Sequence, residues 1–193
     1  MKRRFLFLLL LFVVLMAHSQ DKLKSIYSGG MLFYQPGYAL TSNRHQTIRN
    51  ASSALGGILR LYFGPNLTAG IYGGSLKTTY VSSGSDNSYL SLGYGGPFFG
   101  YSRKTGKIRY TASAFAGMGS VRNLHIESQQ DNVLTDAYLY KHPAIVVSPI
   151  LSFDYALTQK IALTMQAVWL TAAFDGNKTL INPTLQVGIL FSR

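Results

Sequence analysis

From residue 50 to residue 193, apolar and polar side chains take turns along the chain. In the segment 54–63, Leu55, Leu59, Leu61 and Phe63 share one face, and Ala54, Gly56, Ile58, Arg60 and Tyr62 share the other. In 108–121, Ile108, Tyr110, Ala112, Ala114, Ala116 and Met118 oppose Arg109, Thr111, Ser113, Phe115, Gly117 and Gly119. Segment 144–157 sets Ile145, Val147, Leu151, Phe153, Tyr155 and Leu157 against Ser148, Ser152 and Asp154. Segment 161–173 sets Ile161, Leu163, Met165, Ala167 and Trp169 against Thr164 and Gln166, and the last segment sets Leu185, Val187, Ile189 and Phe191 against Thr184, Gln186 and Ser192. A period of two is the signature of a strand with unlike faces.

Connections order these strands. Gly64-Pro65-Asn66, Arg103-Lys104-Thr105-Gly106-Lys107 and Leu157-Thr158-Gln159-Lys160 are of hairpin length. Between them lie polar stretches at 36–50, 82–88, 123–141 and 174–181 with loop composition. Alternating long and short connections give eight strands, with both ends of the sheet on the short-turn side. Membrane barrels of the bacterial outer membrane have this asymmetry.

The apolar faces of the five segments carry no charge, whereas Arg60, Arg109 and Asp154 lie on the other faces. A lysine or arginine facing lipid at mid-depth costs about 2–4 kcal/mol, so the apolar faces are expected to meet lipid and the polar ones the lumen. The expectation is an all-β, eight-stranded, antiparallel up-and-down transmembrane β-barrel. Eight strands leave an interior that side chains fill, with strand glycines (Gly56, Gly70, Gly74, Gly117, Gly119) making room for rings such as Tyr72 and Phe115. No large-solute pore is expected.

Three details strain this pattern, and a fourth supports it. Lys77 falls on the face of Leu67 and Ile71, and a bulge at Gly73-Gly74 would turn it inward. Pro97, Pro149 and Pro183 lie in or at the start of strands, which calls for bulges or strand ends. Residues 160–173 also show helical spacing through Ile161, Met165, Val168 and Ala172, but the hairpin-length turn before them favours a strand. Aromatic residues form two bands: Tyr62, Phe63, Tyr101, Tyr110, Phe153, Tyr155 and Phe191 near the short turns, and Tyr80, Tyr89, Trp169 and Phe174 near the long connections. Such girdles are expected at the two membrane interfaces.

The N-terminus changes the cellular picture. Lys2, Arg3 and Arg4 precede 13 apolar residues, Phe5 to Ala17, and Ala17-His18-Ser19 offers small residues at a cleavage site. Residues 1–19 therefore read as a secretory signal peptide and 20–193 as the barrel domain. Thirteen apolar residues are too short for a spanning helix, which needs about 20. The chain has no cysteine, which excludes disulfides and lipidation of a first cysteine. Its formal charge is +11; without the three cations at 2–4, 15 Lys and Arg face 7 acids, leaving +8. An exported chain with scattered charge is a poor nucleic-acid binder. The densest basic cluster, Arg103, Lys104, Lys107 and Arg109, flanks one turn and suits solvent and anionic headgroups.

The signal ending Ala-His-Ser-Gln, the eight segments, Gly-Tyr-Gly-Gly-Pro-Phe-Phe-Gly-Tyr at 93–101 and the closing Leu-Gln-Val-Gly-Ile-Leu-Phe at 185–191 resemble the small outer-membrane β-barrel proteins common in Bacteroidetes. In fold these are similar to the transmembrane domain of OmpA and to OmpX. The length, signal and closing strands are also similar to the TraO proteins of conjugative elements. The resemblance implies residence in the cell outer membrane, insertion by the barrel-assembly machinery and contact with outer-membrane lipid and lipopolysaccharide. Many such barrels end on an aromatic residue; here Ser192 and Arg193 follow Phe191.

Candidate chemistry is sparse. His45, His125 and His142 fall in or beside the long connections, without metal-ligand spacing, and no metal or cofactor is expected. A lipid A-modifying enzyme would need a set such as His142, Ser148 and Asp131 or Glu127 in mutual contact. Arg60, Arg109 and Asp154 are expected to form a structural charge cluster in the lumen: Arg109 pairs with Asp154, joined by Arg60 or Lys160, because a buried charge needs a partner. The expected function is non-enzymatic, that of a structural or interaction protein working through connections 36–50 and 123–141, where Glu127, Asp131 and Asp136 mark a partner surface. A role in a conjugation or secretion apparatus is the alternative.

Overall fold

The computed structural model describes residues 26–130 and 133–192; the signal segment, its cleavage site and Asp131 lie outside them. Eight strands follow one another in the chain: β1 Ile26–Ser42, β2 Thr47–Phe63, β3 Leu67–Tyr80, β4 Ser88–Thr105, β5 Ile108–Gln130, β6 Val133–Ala156, β7 Ile161–Phe174 and β8 Lys178–Ser192. Each pairs antiparallel with its neighbours, and β1 pairs with β8 to close the barrel. Closure removes the free sheet edges that an open sheet would present within the bilayer. The chain is thus an eight-stranded up-and-down transmembrane barrel. Segment 161–173, ambiguous by spacing, is a strand.

Strand faces follow the alternation. Leu32, Leu55, Leu59, Ile71, Phe99, Met118, Ile145 and Leu151 project outward and are exposed. Ile58, Arg60, Tyr72, Phe115, Ser152, Asp154, Gln166 and Gln186 project inward and are buried. The interior is not the hydrophilic lining expected. Phe33, Leu76, Leu92, Phe98, Val146, Ile150, Leu170 and Leu180 are buried in it as well. Lipid excludes charge from the outer face, but a dry interior is packed like any protein core and accepts apolar groups.

The short turns lie where expected, with Gly64 and Gly106 at positive φ of 64° and 61°, a conformation glycine adopts without steric cost. The other end differs. Polar stretches expected as loops at 36–50, 123–141 and 174–181 are largely strand, leaving turns at 43–46 and 175–177. Only 82–88 remains mostly a connection. Polar composition there reports solvent beyond the membrane, while backbone pairing continues. The hairpin of β5 and β6 extends furthest: β4 leaves β5 at Leu124, and β7 first meets β6 at Ala144.

Three details are corrected. The β2–β3 and β3–β4 ladders run through Gly73-Gly74 without a register shift, so there is no bulge, and Lys77 faces outward. Prolines are absorbed without bulges too. Around Pro97, β4–β5 pairing skips from Gly95–Met118 to Phe98–Phe115 in unchanged register. Around Pro149, β6–β7 pairing skips from Val147–Thr171 to Ile150–Val168. One ladder loses bonds locally while the other holds the strand in place. Finally, Tyr62, Tyr80 and Phe174 point into the lumen, leaving the interfacial bands to rings such as Tyr101, Tyr110, Tyr155 and Trp169.

Candidate functional site

Alternation along β2 and β6 turns Arg60 and Asp154 inward from strands on different sides of the barrel. Arg60 Nη1 donates to Asp154 Oδ2 at 3.0 Å, and both residues are buried, 2% and 3% exposed. Arg60 Nη2 also donates to Ser152 Oγ at 3.4 Å, and Gln166 Nε2 donates to the same oxygen at 2.6 Å. Arg109 stands across the β5–β6 ladder from Asp154. Its guanidinium lies over the Tyr62 ring at 4.2 Å and donates to Ser102 Oγ at 3.1 Å. The hydrogen-bonded partner of Asp154 is therefore Arg60 rather than the expected Arg109, because reach across the narrow lumen brings Arg60 Nη1 onto one carboxylate oxygen. Lys160 is exposed in its turn, away from the lumen.

Above this level the lumen is plugged. Gln35 Oε1 accepts from Gln186 Nε2 at 2.7 Å and from Tyr94 at 3.1 Å, and the hydroxyls of Tyr72 and Tyr94 are 3.1 Å apart. Phe33 stacks on Tyr72 at 5.5 Å, and Phe115 meets Tyr72 edge-on at 5.0 Å. Glycines make the room: a Cβ at Gly117 would stand 2.7 Å from Phe115 Cζ. Toward the short turns the lumen opens into a cavity of about 510 Å³ lined by Tyr62, Lys104, Lys107, Arg109, Asp154 and Leu190.

A second cluster occupies the opposite mouth. His45, from the β1–β2 turn, stacks on His125 of β5 with ring centroids 4.1 Å apart. His45 Nε2 is 3.1 Å from the Tyr140 hydroxyl, and His125 Nδ1 is 3.4 Å from that of Tyr80. Tyr80 in turn donates to Asn123 Oδ1 at 2.7 Å. Burial, and then the neighbouring His45, push His125 below the ordinary histidine pKa, against a smaller upward pull from Glu127. Nearby, Asp175 accepts from Lys178 at 2.9 Å and lies 3.5 Å from His142. The bond from Lys178 holds its carboxyl below the usual range. Composition alone did not join these residues; only the pairing of strands remote in sequence does.

The set His142 and Ser148 is not assembled. They are six residues apart on one strand, roughly 20 Å, and Ser148 Oγ instead donates to Pro149 O at 3.1 Å. Among the described residues no group of three His, Cys, Asp or Glu could hold a metal ion. Glu127 and Asp136 are both exposed on the projecting hairpin. The outer strand of that hairpin, residues 133–143 of β6, has no partner in β7.

No family model and no curated protein matches the chain. Solved structures do. Neisserial surface protein A is similar with a TM-score of 0.57 and 11% identity, over 84% of this chain and 96% of that one. Ail, the attachment invasion locus protein of Yersinia pestis, in complex with the heparin analogue sucrose octasulfate, is similar with a TM-score of 0.50 and 11% identity, over 86% and 99%. The chain has the fold of the small outer-membrane barrels. This likeness concerns architecture alone, and covers nearly all of both neighbours.

Proposed function

We propose that this is a non-enzymatic protein of the outer membrane whose barrel is a rigid mount for the β5–β6 hairpin, and that the hairpin engages a protein partner outside the cell. The observation carrying this reading is the unpaired edge of β6 from 133 to 143. Its backbone donors and acceptors face no strand of β7, and Val133, Leu134 and Leu139 beside it are well exposed. An edge of that kind accepts an added strand, with side-chain pockets supplying selectivity. Exposed Glu127 and Asp136, with Asp131 between them in sequence, favour a partner carrying basic residues. Export by the signal at 1–19, insertion by the barrel-assembly machinery and contact with lipopolysaccharide belong to the same reading. The short turns then face the periplasm.

The test replaces 127–136 by an Asn-Gly turn joining the paired Ile126 and Ala137, which fits a two-residue hairpin, and places a photo-crosslinking residue at the exposed Leu139 of the β6 edge in both the intact and the shortened protein. The shortened barrel should fold and keep its heat-dependent gel mobility. A partner adduct made at 139 by the intact protein in living cells, and lost from the shortened one, supports the reading. No adduct from the intact protein, or an equal yield from the shortened one, refutes it.

A further inference from the structure

Three outward-facing cations share one level of the barrel. Register places Lys77 of β3 opposite Ser91 of β4, Ser91 opposite Arg122 of β5, and Arg122 opposite Lys141 of β6. With strands about 4.8 Å apart, this puts the backbone positions of three cations within about 15 Å. All three side chains are exposed. Among the described residues no carboxylate pairs with any of them. The Lys77 ammonium instead lies 4.9 Å above the Tyr89 ring, on the same face.

The level is as informative as the charge. On β5 the outward positions are apolar from Tyr110 to Met118, then Ser120, then Arg122. On β6 they are apolar from Tyr155 up to Ile145, then Pro143, then Lys141. On β3 they run from Leu67 and Ile71 through Gly73 and Ser75 to Lys77. Each cation stands just beyond the apolar belt, at the depth where hydrocarbon gives way to headgroups. Directly opposed like charges on a sheet destabilise it, and Arg122 faces Lys141 across one ladder. The row lacks only an anion.

We propose that Lys77, Arg122 and Lys141 form a binding site for the phosphate of a membrane lipid headgroup at the hairpin end of the barrel. The guanidinium of Arg122 supplies a planar fork for phosphate oxygens, and the two lysines add point charges on either side. Aromatic Tyr89 holds the Lys77 stem against the wall at the same height. The proposal depends on the barrel spanning a bilayer, not on which compartment the hairpin faces or on any partner of the hairpin.

The full mature chain is reconstituted in nanodiscs of phosphatidylcholine, with or without phosphatidic acid, beside the double variant Arg122→Gln/Lys141→Gln. Native mass spectrometry counts retained lipid, and the thermal midpoint is read in both discs. Wild type should retain phosphatidic acid over phosphatidylcholine about tenfold more than the variant does, and its midpoint should rise with phosphatidic acid. In phosphatidylcholine alone the variant should melt no lower than wild type, because removing opposed like charges relieves repulsion. Equal retention by the two proteins overturns the site. So does a variant that melts lower in both discs alike, which would make the pair structural. Inorganic phosphate that reproduces the full midpoint shift in phosphatidylcholine discs would overturn the lipid assignment.

Discussion

Arg60 and Asp154 reach each other across the lumen from β2 and β6, joined at 3.0 Å where both are buried. Ser152 bridges the pair to Gln166. A carboxylate withdrawn from a site of this kind leaves an arginine stranded without its counter-charge. Breaking a buried pair from one side costs about 3–5 kcal/mol, whereas replacing both partners by apolar groups is often neutral. Asp154→Ala should therefore lower the thermal midpoint in detergent by that scale, while Arg60→Met with Asp154→Leu should recover most of it. Heat-dependent gel mobility reads both. An unchanged midpoint in the single variant would remove the pair from the account of stability.

The lipid face makes a contrasting demand. Ala114 is outward, midway between Tyr110 and Met118 on β5, and its neighbours across the ladders are Phe99 and Pro149. Ala114→Lys should cost about 2–4 kcal/mol in a bilayer. Lys77→Gln, at the edge of the belt, should cost far less. Refolding equilibria in phosphatidylcholine vesicles compare the two, and equal costs would argue against a membrane-facing belt.

Room for the rings in the lumen comes from missing side chains. Gly117→Ala brings a Cβ nearest to the Gly95 carbonyl oxygen and to 2.7 Å from Phe115 Cζ. Overpacking of this sort costs about 1–3 kcal/mol. The expected result is a lower midpoint, partly restored by Phe115→Leu because the ring clash is relieved and the backbone clash is not. Full restoration would show that the ring alone sets the limit.

At the opposite mouth, acidification should open the contact between the β1–β2 turn and the hairpin. His125 is held below its ordinary pKa by burial and by His45, so the closed form favours the neutral ring. The groups around this pair are His45 with Tyr138 and Tyr140, Tyr80 of β3, and Glu127, whose charge pulls the other way. The contact is fully favourable above the ordinary histidine pKa of about 6.5 and is lost as pH falls below it. Amide exchange at 43–47 should speed up as pH falls through that range, after correction for intrinsic rates. His125→Phe should flatten the response, and a response unaltered by that change would place its origin elsewhere.

Parity, strand number and the short turns could be read from the sequence, because each depends on neighbours along the chain. A charge-free stripe against one holding Arg60, Arg109 and Asp154 is a local statement, and so is a hairpin turn at Gly64-Pro65-Asn66. Where polar residues extend a strand past the membrane, as in 123–141, sequence pattern loses its power. Solvent wets both faces of 133–139, alternation fades, and only the partner strand reveals that pairing goes on.

What the sequence alone determined was which side of five of the strands lipid touches, since that follows from the cost of charge in hydrocarbon. What only the tertiary structure decided was who meets whom across the ring. Asp154 could be assigned to the lumen from its position, but its choice of Arg60 over Arg109 depends on the barrel's diameter and on side-chain reach. The stacking of His45 on His125 and the alignment of Lys77, Arg122 and Lys141 likewise depend on register between strands. Register is set by the whole closed sheet, and no single segment contains it.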